Sequence, residues 1–198
     1  MQQLVNGIWH WTADHPAWKD GEEWGRTVSS YAIDDGAGLL LFDPLAVPAE
    51  IEALVPEREA AIVLTCPWHH RDAEVWGPAN GVPIFLPPLD EGDPNEPAGE
   101  TFEAGDELAV GVVAYPGVER NDLVLWVPSA RAIVIGDTII DQGDGLEIWI
   151  QSWNTETSVD DVRQRLLPLL DLPIEHVLAT HGGPFGRDEL ERVLASTA

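Results

Sequence analysis

Apolar positions along the chain come in short runs broken by turn residues. Residues 28–33 (VSSYAI) and 38–42 (GLLLF) read as strands joined by the turn Asp34-Asp35-Gly36, a hairpin pattern. Asp43-Pro44 ends the second run, and 49–55 (AEIEALV) has helical spacing after Pro48. Residues 60–65 (AAIVLT) and 82–86 (VPIFL) are continuous apolar runs of the kind buried on both faces of a sheet. A short helix is expected between them, over 73–76. Residues 87–104 hold four prolines and many acids and read as an exposed, lid-like loop. Four more strands are expected over 107–110, 112–115, 123–127 and 132–135. The clearest helix covers 158–170 (SVDDVRQRLLPLL), with Ser158 at the N-cap, acids in the first turn and leucines at helical spacing. A short strand over 177–179 and a terminal helix over 187–196 complete the pattern. This order predicts a mixed α/β domain whose sheets are covered by helices on the outside.

The length of 198 residues suits one domain, 1–198, with a Trp-rich N-terminal segment (1–24) and the acidic Pro-rich loop (87–104) as its irregular parts. Charge changes the picture by exclusion. Thirty-five Asp and Glu oppose 10 Lys and Arg, a net charge of −25. Such a surface repels phosphate backbones and anionic membranes, so no nucleic-acid or membrane partner is expected. A small-molecule ligand or substrate is the expected partner. The acids are best read as a solvated surface, yet a hydrophobic share of 44% still supplies a core. Cys66 is the single cysteine, which excludes an intrachain disulfide framework and a cysteine-rich zinc site. No basic leader precedes an apolar stretch and no run reaches membrane-spanning length, so a cytoplasmic location is expected.

Three strand ends carry ligand-type residues. The first is TCPWHHRD, where His70 and Asp72 can converge on an ion if the turn is extended; otherwise the histidines cap strand carbonyls. The second is VIGDT, in which Asp137 either reaches into a cleft or closes an Asx-turn. The third is LATHGGP, where two glycines permit a tight turn beside His181.

Taken in order, these segments resemble the metallo-β-lactamase fold superfamily. LLLFDPL is similar to its strand-Asp pattern, VLTCPWHHRDA to its H-x-H-x-D-H motif, YPGVE to its PGH segment, and VIGDT and ATHGGP to its later GDT and THGGP-like segments. The resemblance covers roughly residues 25–198. It implies a four-layer αββα sandwich with a metal site at one edge between two sheets. It also implies an activity in which one or two zinc, iron or manganese ions assist hydrolysis.

The departures are as informative as the match. With Asp72 on the motif's aspartate, His70 falls on the second histidine, while Trp68 and Ala73 replace the other two. Val118 replaces the histidine of the PGH segment. The resemblance then implies a reduced site of His70, Asp72, Asp137 and His181, with His69 as a substitute ligand. That set would hold a single zinc, iron or manganese ion, or none. Asp72 and Asp137 would orient or deprotonate water, and Asp43 is a third acid of interest. Counting from Thr65 instead puts Cys66, Trp68, His70 and Arg71 on the four motif positions. Trp68, Arg71, His10 and His15 are pocket candidates. The N-terminal tryptophans read either as a pocket lining or as a packing layer or homodimer contact. The expected function is metal-assisted hydrolysis of a small ester, lactone or thioester. The alternative is a metal-free member of the fold that binds a small molecule or protein.

Overall fold

The computed structural model describes residues 1–90, 99–152, 154 and 156–195. A first sheet contains β1 (Gln2–Val5), β2 (Ile8–Asp14), β3 (Thr27–Asp34), β4 (Gly38–Phe42), β5 (Glu59–Val63), β6 (Ile84–Leu86) and β7 (Glu100–Thr101), in that spatial order. The first four strands pair antiparallel and the rest parallel. Helices α1 (Ala49–Glu52) and α2 (Ala73–Asn80) belong to the crossovers. The second half of the chain adds β8 (Val113–Pro116), β9 (Leu123–Val127), β10 (Ala132–Ile135), β11 (Ile139–Asp141) and β12 (Leu146–Ile148). These are followed by α3 (Val159–Leu166), β13 (His176–Ala179), β14 (Pro184–Gly186) and α4 (Arg187–Ala195). The second sheet runs β14-β13-β10-β9-β8, and β11-β12 form a separate ribbon.

Three apolar clusters define the layers. Tyr31, Phe42, Val63, Leu123, Leu125 and Leu178 pack where the two sheets face each other. Leu39, Leu41, Ile51, Ile62 and Ala73 pack α1 and α2 on the outer face of the first sheet. Ile133, Ile135, Val162, Leu166, Leu190 and Val193 pack α3 and α4 on the outer face of the second. The result is the expected αββα sandwich. Alternate residues of the central strands serve opposite layers, which is why these strands are apolar without a polar face. The two sheets are also tied by hydrogen bonds. Tyr31 Oη donates to Ala179 O at 2.8 Å and Ser29 N donates to Thr180 O at 2.8 Å.

Local signals explain most elements. Ser158 accepts from Asp161 N while the Asp161 side chain accepts from Ser158 N, a complete capping box that starts α3. Beyond Leu166 the helix tightens into a 3₁₀ turn, Leu167–Asp171, because Pro168 cannot extend the α pattern. The structure differs from expectation in several places. Residues 107–110 are not a strand; only Glu107 bridges to Val113. The aromatic segment before residue 24 contains a two-strand hairpin, β1-β2. Part of the expected 87–104 loop is strand β7, while residues 91–98 lie outside the described residues. Among the described residues, no helix is long and apolar enough to cross a membrane.

Candidate functional site

Parallel pairing places the site. Phe42 of β4 stands opposite Val63 of β5, and Ile135 of β10 opposite Ala179 of β13. Each strand is followed within two residues by a polar side chain: Asp43, Thr65, Asp137 and His181. The strand ends face one another across the sandwich edge, where Leu123 N donates to Thr65 O at 2.9 Å. Gly136 permits this approach, because a Cβ there would lie 2.5 Å from Thr65 Oγ1.

The TCPWHHRD segment follows β5 and forms a 3₁₀ turn, Pro67–His70. Three residues per turn bring positions i and i+3 onto one side. Cys66 and His69 therefore point inward, whereas the His70 side chain is 54% exposed, 4.0 Å from Glu74. Arg71 then adopts φ +42° and redirects the chain into α2. Asp72 leaves with it, and its Oδ2 accepts from Ala46 N at 2.7 Å. Neither His70 nor Asp72 lines the central cavity, so the structure separates them from Asp137 and His181. The register that puts Asp72 on the motif's aspartate does not match this geometry. Counting from Thr65 matches it better at Cys66, Trp68 and Arg71, which cluster with Asp137 or line its cavity. The histidine that enters the site is His69.

Three ligand atoms converge there. His69 Nε2, His181 Nε2 and Asp137 Oδ1 lie 3.2 Å from one another in every pairing. Asp137 Oδ1 nevertheless has no hydrogen-bond partner among the described residues. Its other oxygen accepts from Trp68 Nε1 at 2.8 Å. Cys66, His69 and Asp137 also form a buried group whose ligand atoms lie within 4.8 Å of one another.

A buried scaffold holds this triangle. Asp43 is fully buried; its Oδ1 accepts from Thr65 N at 2.9 Å and its Oδ2 from Thr65 Oγ1 at 2.6 Å. The same Oδ2 faces His69 Nδ1 at 2.8 Å. Arg71 Nη1 donates to Ser29 O and Asp43 O, both at 2.7 Å. Burial alone would lower the His69 pKa, but the Asp137 and Asp43 carboxylates outweigh it and raise it to about 9. Burial likewise opposes ionisation of Asp137, yet the charge on His69 and the hydrogen-bonding capacity of His181 hold its carboxyl well below the usual range. Asp122, buried behind it, is pushed well above that range by burial and then by the Asp137 charge. Burial lowers the pKa of His181, leaving it neutral at pH 7. The Cys66 thiol is raised by burial and by the carboxylates of Asp137, Asp122 and Asp43.

The donor set fits a divalent ion. Ligand bonds of about 2.0–2.1 Å in a tetrahedron separate neighbouring donors by about 3.3–3.4 Å, close to the observed triangle. The orphaned Oδ1 points to the same use. Two imidazoles and a carboxylate on one face also leave coordination positions open, as catalytic sites do. Asp43 supplies the outer carboxylate that fixes the His69 ring through Nδ1.

A cavity of about 620 Å³ opens over these atoms. Trp24, Trp68 and Trp149 form part of its wall, with His15 and Arg71. Trp24 meets His181 edge-on at 5.3 Å and His15 at 5.2 Å. His10 is not in the cavity lining; it stacks on Tyr31 at 4.9 Å and pairs with Ser29 Oγ at 2.8 Å. Sequence reasoning did not identify the His69–Asp43 pair as part of the site; Trp24 belongs to the N-terminal tryptophans offered as a pocket lining. The signal for His69 was the proline after Cys66, which opens a 3₁₀ turn and places residue i+3 beside residue i.

No family model matches the chain, and no curated protein matches its sequence. Solved structures do match. The metallo-β-lactamase from Hirschia baltica is 19% identical with a TM-score of 0.66, over 98% of this chain and 95% of that one. TMB-1 is 17% identical with a TM-score of 0.69, over 98% and 94%. TTHA1623, solved in a di-iron-bound form, is 22% identical with a TM-score of 0.62, over 84% and 93%. The chain therefore has the metallo-β-lactamase fold, with residues at its sheet edge that can hold a metal ion.

Proposed function

We propose that the protein is a mononuclear metal-assisted hydrolase of a small ester, lactone or thioester, with His69, Asp137 and His181 holding the ion. The observation that carries this reading is the 3.2 Å triangle of His69 Nε2, His181 Nε2 and Asp137 Oδ1, an oxygen that accepts no hydrogen bond among the described residues. Zinc, iron(II) and manganese(II) all accept this donor set. When bound, the ion would polarise a carbonyl oxygen and acidify water. The chain's own groups do the rest. Asp43 holds the Nδ1 proton of His69 and so presents the Nε2 lone pair to the site. Trp68 pins Oδ2 of Asp137, which fixes the direction of Oδ1 and lets this carboxylate orient a water molecule. The indoles of Trp24, Trp68 and Trp149 limit water around the scissile bond.

A specific observation supports the metal-free binding reading as the rival. His69 sits between Asp43 and Asp137, so its imidazolium offsets one of the two carboxylate charges without an ion. Titrating the chelator-treated protein with Zn²⁺, Mn²⁺ and Fe²⁺, followed by elemental analysis, separates the two. The hydrolase reading expects one ion per chain, lost in His69→Ala and His181→Ala but kept in His70→Ala, together with turnover of an activated ester. Absence of stoichiometric metal, or full retention in His69→Ala, would overturn it.

A further inference from the structure

We propose that the cavity selects a positively charged, ammonium-bearing ligand. Four carboxylates line it besides Asp137: Glu22, Glu23, Asp90 and Glu119. None lies within 4.0 Å of a cation among the described residues, which include all ten Lys and Arg. Their hydrogen-bond donors are uncharged. Ser152 N donates to Glu23 at 3.2 Å, Asn121 Nδ2 to Asp90 at 2.9 Å and Asn154 Nδ2 to Glu119 at 2.6 Å. The rim thus keeps four formal negative charges uncompensated. Arg71 is the sole Lys or Arg in the lining; its Nη1 donates to Ser29 O and Asp43 O, its buried Nε and Nη2 have no hydrogen-bond partner among the described residues, and its charge lies near those of Asp43 and Asp137.

Two features independent of the charge point to a ligand. The walls carry three indoles, Trp24, Trp68 and Trp149, whose faces attract ammonium groups. Gln151, only 7% exposed, lines the same cavity, and its Oε1 has no hydrogen-bond partner among the described residues. That oxygen is an acceptor awaiting a donor. Acids, indole faces and an orphaned acceptor are all complementary to a cation carrying apolar substituents or an N–H group. They oppose an anionic ligand, which would meet the rim charges on entry.

This inference rests on the hydrolase reading only for where the scissile bond would lie; binding of the cation is independent of it. The test uses three probes of nearly equal shape: choline, its neutral carbon isostere neohexanol, and the anion tert-butylacetate. Calorimetric titration of the full chain should show choline binding about tenfold more tightly than neohexanol, with no binding of tert-butylacetate. Raising the salt concentration should shrink that preference, because the rim is solvent-screened. The double variant Glu22→Gln/Glu119→Gln should lose most of it, with unchanged far-UV circular dichroism. Equal or tighter binding of neohexanol, or a choline preference untouched by the double variant, would overturn the proposal. Turnover separates the two readings. Choline preference without hydrolysis of any ester in the metal-loaded protein sinks the hydrolase reading alone. Equal hydrolysis of acetylthiocholine and neohexyl thioacetate, without choline preference, sinks this one alone.

Discussion

Raising the pH of the metal-free protein should destabilise it, and His69 supplies a share of that loss which a single variant isolates. Its imidazolium is buried between Asp43 and Asp137, and its folded pKa is about 9 against 6.5 for the free side chain. The native state therefore binds the proton more tightly than the unfolded chain. The stabilisation is complete below pH 6.5 and is lost as pH rises through 9. A gap of this size corresponds to roughly 3 kcal/mol, of which about 1.5 kcal/mol disappears between pH 6.5 and 8. His181, His10 and His15 have lowered pKa values, so their linkage acts below pH 6.5. Asp122, whose carboxyl is raised by burial and the Asp137 charge, also loses stability as pH rises, so the His69 contribution is read as the difference between the parent and a His69 variant. Cys66 acts mainly above the window, where the unfolded thiol ionises and the buried one does not. Urea unfolding followed at both pH values, in the presence of a chelator, measures the drop. His69→Gln should be less stable than the parent at pH 6.5 and should lose about 1.5 kcal/mol less than the parent across the window. A parent protein whose stability stays flat or rises from pH 6.5 to 8, or a His69→Gln slope equal to the parent's, would refute the assigned ion pairs.

The same proton competes with metal. Zinc affinity should rise with pH up to about 9, approaching tenfold per unit below that value, and calorimetry in buffers of different ionisation enthalpy should show proton release on binding. Gly136→Ala should cost about 1–3 kcal/mol in urea unfolding, since its Cβ would sit 2.5 Å from Thr65 Oγ1 and 3.0 Å from Asp122 Oδ1 in a fixed, buried junction. Ser158→Ala should cost about 1 kcal/mol by removing the α3 capping box, and metal content should not change.

Much of the fold was legible because it depends on local periodicity. Strands β9 and β10 occupy the residues their apolar runs predict, and the Ser158 cap marks the start of α3. The ribbon β11-β12 and strand β14 escaped because they have three residues each, too few to establish a period. Strand β2 escaped for another reason. Its Trp and His residues suggested chemistry, while their alternation with apolar neighbours was the pattern of a strand.

The candidate site shows the division most clearly. The sequence determined that Asp137 and His181 each follow a buried strand, and parallel pairing of such strands brings their ends to one edge. It could not determine which of two adjacent histidines faces inward. That choice belongs to the 3₁₀ turn at Pro67 and the positive φ of Arg71, which rotate His69 in and carry His70 and Asp72 away. Asp43 completes the site from a strand far away in sequence, 26 residues from His69. Spacing along the chain records strand ends, but only tertiary packing sets which atoms converge to within 3.2 Å, because that distance is fixed between elements rather than within one.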